Sequence, residues 1–121
     1  MAKNILIVDD SSSIRQSITF VLEQSGFVVV QSVDGTDALK KLESQKFDLV
    51  ISDVNMPNMD GISLTKNIRL TTHHKFTPIL MLTTESQASM MQEGKAAGAT
   101  GWIVKPFDPD KLLAVVNKLV G

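Results

Sequence analysis

The 121-residue chain contains no cysteine, which excludes disulfide frameworks, thiolate zinc sites and cysteine nucleophiles and fits a reducing cytoplasm. Aromatic residues make up only 5%, so stacking platforms for single-stranded nucleic acid are scarce. Neither sign of charge dominates. Twelve Lys and Arg stand against 13 Asp and Glu, a formal charge of −1, and the basic footprint of a nucleic-acid binder is missing. The runs Ile5–Val8 and Phe27–Val30 are four residues each, far below the roughly 18 required of a membrane span. The first run ends in two aspartates, too early for a signal peptide. What remains is one domain with one core, because a chain of this length buries about two thirds of its surface on folding.

What is present is a recurrence of short β-branched runs: Ile5–Val8, Phe27–Val30, Leu49–Ile51, Ile79–Leu82 and Trp102–Val104. They are almost wholly apolar, as strands covered on both faces must be. Between them lie segments of helical period, such as Ile14, Ile18, Val21 and Leu22, and Leu112, Val116, Leu119 and Val120. Gly26 and Gly98 sit where helices end, Asp34 and Asp60 each precede a glycine as N-caps, and Asp108-Pro109 reads as a cap followed by a first-turn proline. Strand ends marked at Asp9, Gln31, Asp53, Thr83 and Lys105 are spaced 22, 22, 30 and 22 residues apart. The pattern predicts (βα)5, a parallel sheet with helices on both faces. The longer third interval takes its excess in 55–59 and 71–75.

In such sheets ligands bind outside the carboxyl ends of the strands. Four of the five ends carry chemistry: Asp9 and Asp10, Asp53, Thr83 and Lys105. Taken singly, each has a plain reading as a cap, a loop aspartate, a β-former or a solvated lysine. Taken together, three carboxylates in one crevice repel by roughly 1 to 4 kcal/mol per pair near 4 Å, and one lysine balances only one of them. A hard divalent cation with oxygen preference answers the remainder, and Mg2+ beside a phosphoryl group suits the inventory. On this reading Asp53 is the nucleophile that forms an aspartyl phosphate. Asp9 and Asp10 hold the metal, Lys105 supplies a point charge, and the Thr83 hydroxyl donates to a phosphoryl oxygen. No placed base for rapid hydrolysis accompanies them. His73 and His74, being adjacent, point apart and make poor joint ligands.

Ile5-Leu6-Ile7-Val8-Asp9-Asp10-Ser11, Asp48 through Gly61 with its Met-Pro-Asn-Met-Asp-Gly ending, Pro78 to Thr83, and Gly98 to Phe107 with Lys-Pro-Phe resemble the receiver domains of two-component response regulators. The similarity is greatest to the single-domain, CheY-like chemotaxis regulators and covers essentially the whole chain. It implies a flavodoxin-like (βα)5 fold with strand order 2-1-3-4-5, Asp53 as phosphoacceptor, and a receiver spanning residues 1–121 with no separate output domain. It further implies a Mg2+ shell completed by the main-chain carbonyl of Asn55, and side chains of Asn55 and Glu85 that modulate dephosphorylation. A cis Lys105-Pro106 bond and a switch formed by Thr83 and an aromatic residue, here Trp102, belong to the same resemblance. A CheA-like histidine kinase as donor, a flagellar motor switch protein as receiver, a possible phosphatase and a cytoplasmic monomer are what it implies for partners and state. Ala88, Met91 and Lys95, beside Trp102 and Lys118, are read either as the partner surface or as a solvated face.

Alternatives stay open at this point. A phosphorelay phosphotransfer protein or an enzyme regulated by binding is the alternative receiver of the signal. A flavodoxin-like electron carrier shares the topology, with Ser11-Ser12-Ser13 as a phosphate cradle, although Asp9 and Asp10 would repel a flavin phosphate. A small phosphatase would also use Asp53, but Asn55 stands where its general acid is needed.

Overall fold

Each short apolar run forms a strand, and alternate residues along it supply opposite faces of one sheet. In the computed structural model, which describes residues 2–84 and 90–120, the order is β1 (Asn4–Val8), α1 (Ser12–Gln24), β2 (Val28–Ser32), α2 (Gly35–Ser44), β3 (Leu49–Asp53), α3 (Gly61–Arg69), β4 (Ile79–Thr83), α4 (Met91–Ala97), β5 (Gly101–Val104) and α5 (Pro109–Val120). The strands are all parallel, in the order β2-β1-β3-β4-β5, as the resemblance implies. The second strand lies one to two residues later than its apolar run. Phe27 stays outside it and packs on the core, while Gln31 and Ser32 complete the ladder with Ile7 and Val8.

The caps expected from sequence are made. Asp34 and Asp60 accept the amides of Asp37 and Ser63, each at 2.8 Å, and Asp108 accepts that of Asp110 at 2.9 Å. Gly26 and Gly98 take positive φ values of 92° and 111°, the conformation that ends a helix with least strain on a residue lacking Cβ.

Period-two alternation divides the core. Leu6, Val8, Val50, Ile79 and Met81 face Ala38 and Leu42 of α2 and Leu64 and Ile68 of α3. Ile5, Ile7, Leu49, Ile51, Leu80 and Leu82 face Ile18 and Leu22 of α1 and Leu112 and Val116 of α5. Each buried Val, Leu, Ile or Met side chain among them contributes about 1.5 to 3 kcal/mol. At the end of α3, Arg69 donates to the carbonyls of Thr77 (2.7 Å) and Gly98 (2.8 Å), tying the C-terminus of α4 to the α3–β4 connection.

That connection reads as a polar loop, yet His74 within it is only 1% exposed. Its Nε2 accepts the Phe47 amide at 3.1 Å, so the neutral ring carries its proton on Nδ1. Burial, reinforced by His73 and Lys46, pushes the His74 imidazole below its ordinary range. The unfolded chain takes up this proton near pH 6.5, whereas the folded one resists until lower pH, so stability falls as pH drops through that window. The urea midpoint is expected to decline between about pH 7.5 and 5.5. His74→Gln, which keeps an acceptor for the Phe47 amide, flattens the decline. Equal slopes in the two proteins would refute the assignment.

Candidate functional site

The carboxyl ends of β1, β3 and β4 and the residue after β5 converge on a small acidic crevice. Asp9 follows the buried strand β1 and is itself fully buried. One of its oxygens accepts the Ser11 amide at 2.9 Å, and the other meets Lys105 Nζ at 3.3 Å. Asp53, last residue of the central strand β3, is 6% exposed. Its Oδ1 accepts the Val54 amide at 2.9 Å and pairs with Lys105 at 3.1 Å. Asp10 is exposed at the mouth. Each of the three aspartates offers one oxygen, and these oxygens lie within 4.8 Å of one another. Lys105 is thus a bridge between two buried acids, and three carboxylates against one ammonium leave the crevice negative.

The electrostatics follow from that imbalance. Burial, with the neighbouring charge of Asp9, raises the Asp53 carboxyl above its ordinary range despite the opposing pull of Lys105 and the Val54 amide. Burial pulls Lys105 down, but the hydrogen bond and charge of Asp53, with Asp9 behind them, outweigh it and hold the ammonium above the usual lysine range. The two directions agree: the lysine is oversupplied with carboxylate, and each carboxylate is short of cation.

Thr83 ends β4 beside this crevice. Its hydroxyl is buried and has no hydrogen-bond partner among the described residues. A buried hydroxyl left without a partner costs about 1 to 3 kcal/mol, a penalty that an incoming oxygen acceptor would remove. Asn55 is exposed on the loop after β3. The Lys105-Pro106 bond is cis. Glu85 and Ala88 lie outside the described residues.

Trp102 is partly buried on the edge strand β5 and packs on the α2–α3–α4 face of the core with Met90, Ala97 and Ala99. The helix beneath it has a gap at the residue it needs. A Cβ on Gly94 would stand 2.3 Å from the indole Cη2, so Gly94 is a notch that admits the indole. Gly94→Ala is expected to drive the ring outward, although alanine favours an isolated helix by about 1 kcal/mol. Trp102 is the only tryptophan, so a red-shifted emission with easier acrylamide quenching is the readout. An unchanged spectrum would show that α4 yields instead. Met91 and Lys95 lie on α4, Trp102 on β5 and Lys118 on α5, and Trp102 also lines a groove of about 430 Å3 with Val104, Pro106, Lys111 and Val115.

Sequence reasoning identified Asp9, Asp10, Asp53, Thr83 and Lys105, which the fold gathers. It missed two supports. Gly61 was legible as the glycine after a capping aspartate, but not as the point where α3 abuts the main chain of Asp53: a Cβ there would lie 2.2 Å from the Asp53 carbonyl oxygen. The hydrogen bond from Asn58 to Asp34 spans 24 residues and leaves no local signal.

The response regulator receiver domain family matches residues 5–117. Chemotaxis protein CheY-3 of Vibrio cholerae is 42% identical over 116 residues, covering 95% of this chain and 89% of its own. The V. cholerae CAI-1 autoinducer sensor kinase/phosphatase CqsS is 42% identical over 112 residues, 92% of this chain, which spans only 16% of that longer protein. Among solved structures, V. cholerae chemotaxis response regulator CheY4 superimposes with a TM-score of 0.93 at 49% identity, covering 98% of this chain and 99% of its own. The receiver domain of sensor histidine kinase PA1611 of Pseudomonas aeruginosa, with magnesium coordinated in its active site cleft, gives 0.92 at 27% identity, covering 100% and 99%. A match that runs from the first strand into the last helix, over a superimposable fold, means that this chain belongs to the response regulator receiver domain family.

Proposed function

We propose that the crevice accepts a phosphoryl group on Asp53 with Mg2+ and that the phosphorylated protein signals by binding another protein. The observation that carries this reading is Lys105 held between Asp9 and Asp53 at 3.3 and 3.1 Å beside the partnerless Thr83 hydroxyl. Receiver domains are switches and not classical enzymes, and similarity to CheY regulators supports a role in chemotaxis-type signalling.

The donor set fits the metal. Three carboxylates converge with no sulfur or histidine among them, the oxygen-only environment that Mg2+ prefers. Asp9, Asp10 and Asp53 would hold it, with the main-chain carbonyl of Asn55. When bound, the cation neutralises phosphoryl oxygens as charge moves onto them.

In the transfer, a carboxylate oxygen of Asp53 attacks the phosphorus of a phosphohistidine. The new O–P bond replaces the donor N–P bond, and the released imidazole takes a proton from solvent. Lys105 holds the attacking carboxylate and then one phosphoryl oxygen. Thr83 donates its hydroxyl to another, and the space it leaves is what Trp102 would follow into. Asn55 and Glu85 are the side chains proposed to tune hydrolysis. The receiving face is that of Ala88, Met91, Lys95, Trp102 and Lys118. A CheA-like kinase and a flagellar motor switch protein are the proposed partners, with a dedicated phosphatase as a possible third. A flavin phosphate is disfavoured because the Ser11 amide already serves Asp9 and the Ser11 hydroxyl caps Ile14.

Incubation with acetyl phosphate and Mg2+, followed by intact mass, is expected to show one phosphoryl adduct that disappears when EDTA replaces the metal. An adduct indifferent to EDTA, or none at all, would overturn the reading.

A further inference from the structure

The loop between β3 and α3, residues 54–60, runs from the Asp53 carboxylate to the N-cap of α3 and carries Asn55 at the mouth of the crevice. At Asn58 it takes a φ of 69°, the only positive value on a non-glycine among the described residues. The Met59 amide returns to the Pro57 carbonyl at 2.7 Å. A three-residue turn of this hand is rare and strained, and such strain persists only when surrounding structure holds it.

What holds it is the start of α2. Asp34 uses one oxygen to accept the Asp37 amide and cap that helix, and the other to accept from Asn58 Nδ2, both at 2.8 Å. The Asp37 amide and the Asn58 side chain hold the Asp34 carboxyl below its usual range, so both bonds are charge-assisted. Next to the strap, Met59 lies flat on Gly35, where a Cβ would come within 2.9 Å of the Met59 side chain. Two contacts from one helix end therefore clamp the loop.

We infer that Asp34 is a positioning residue for the phosphorylation site: through Asn58 it keeps the β3–α3 loop in its strained turn, so that the Asn55 main chain is presented to the cation beside Asp9, Asp10 and Asp53. The inference rests on the Mg2+ reading above. It assigns a purpose to the choice of asparagine at position 58, since asparagine tolerates the left-handed region better than other non-glycine residues and also supplies the donor.

The test separates the cap from the strap. Asp34→Ser retains a capping hydroxyl for α2 but is too short to reach Asn58. The Mg2+ concentration that half-saturates phosphorylation by acetyl phosphate is expected to rise about tenfold, the low end of what an outer-shell partner of a metal site carries. The rate at saturating Mg2+ recovers towards wild type. Adding Asn58→Gly to Asp34→Ser, which removes the penalty on positive φ, is expected to restore part of the Mg2+ response. An unchanged half-saturation value in Asp34→Ser, with only the melting temperature lowered, would overturn the inference and leave a purely structural cap. Failure of the wild type to form a Mg2+-dependent adduct would instead strike the reading beneath it.

Discussion

Asp53→Asn is expected to abolish the Mg2+-dependent phosphoryl adduct while making the metal-free protein more stable. The loss is complete because no other carboxylate lies at the end of the central strand with a lysine already bonded to it. Asp9 is fully buried and bonded to the Ser11 amide and Lys105, and Asp10 lies at the open mouth. The gain in stability follows from the direction of the Asp53 shift. Burial and Asp9 raise its pKa in the folded protein, so stability is lost as pH rises through that value, and at neutral pH the carboxylate is a burden to the fold.

An amide of the same shape keeps the bond to Val54 and removes a repulsion of roughly 1 to 3 kcal/mol at such spacing. It forfeits the negative charge opposite Lys105, which keeps an acceptor in the amide oxygen and its ion pair with Asp9. A net gain of about 1 kcal/mol corresponds to a rise of about 4 °C in a domain of this size. The advantage is expected to shrink when Mg2+ is added, because on the proposed reading the wild type would hold the cation with one more carboxylate and be stabilised by that binding. Melting curves with EDTA and with Mg2+ check both halves, and a variant less stable than wild type in EDTA would contradict the account.

Gly61→Ala carries the second large effect. Gly61 is buried at the first turn of α3, its amide bonded to the Val54 carbonyl at 2.8 Å. A methyl group there would meet the Asp53 carbonyl oxygen at 2.2 Å, its carbonyl carbon at 3.0 Å and Met81 Cε at 2.7 Å. Methionine can turn aside, but the main chain of the central strand cannot, so α3 must back away or drag Asp53 with it. Overpacking against backbone falls at the upper end of its usual range, about 3 kcal/mol, or a loss of about 10 °C. With Asp53 as the proposed phosphoacceptor, displacing its carboxylate by about 1 Å is expected to lower phosphorylation up to a hundredfold at saturating Mg2+. Gly101→Ala is the control, since a Cβ there would meet only the side-chain methyls of Leu80 at 3.4 Å and Leu119 at 3.9 Å. Equal losses in the two variants would show that contact with the main chain is not what makes Gly61 necessary.

Much of the fold was legible because its causes are local. Apolar runs flanked by Asp-Gly, Asp-Pro and helix-ending glycines mark strands and caps through side chains that act within four residues. The second strand slipped by one to two residues because Gln31 and Ser32 are polar, and only pairing with Ile7 and Val8 makes them strand. His74 looked like loop because its neighbours are polar. Its burial against Phe47, 27 residues away, is a fact of packing.

The site divides along the same line. Asp9, Asp10, Asp53, Thr83 and Lys105 were visible in the sequence because a parallel sheet must bring its strand ends together, and residue type at those ends reports the chemistry. How they meet was decided by tertiary structure. The bridge from Lys105 to two acids, the partnerless hydroxyl of Thr83, the notch at Gly94 and the strap from Asp34 to Asn58 are close approaches between distant segments, set to a few tenths of an ångström by packing and leaving no periodic trace. The amino-acid sequence by itself determined the layers, the caps and the acidic inventory of this protein. Only the folded chain decided which acid is paired, which donor is left waiting and where the backbone is held under strain.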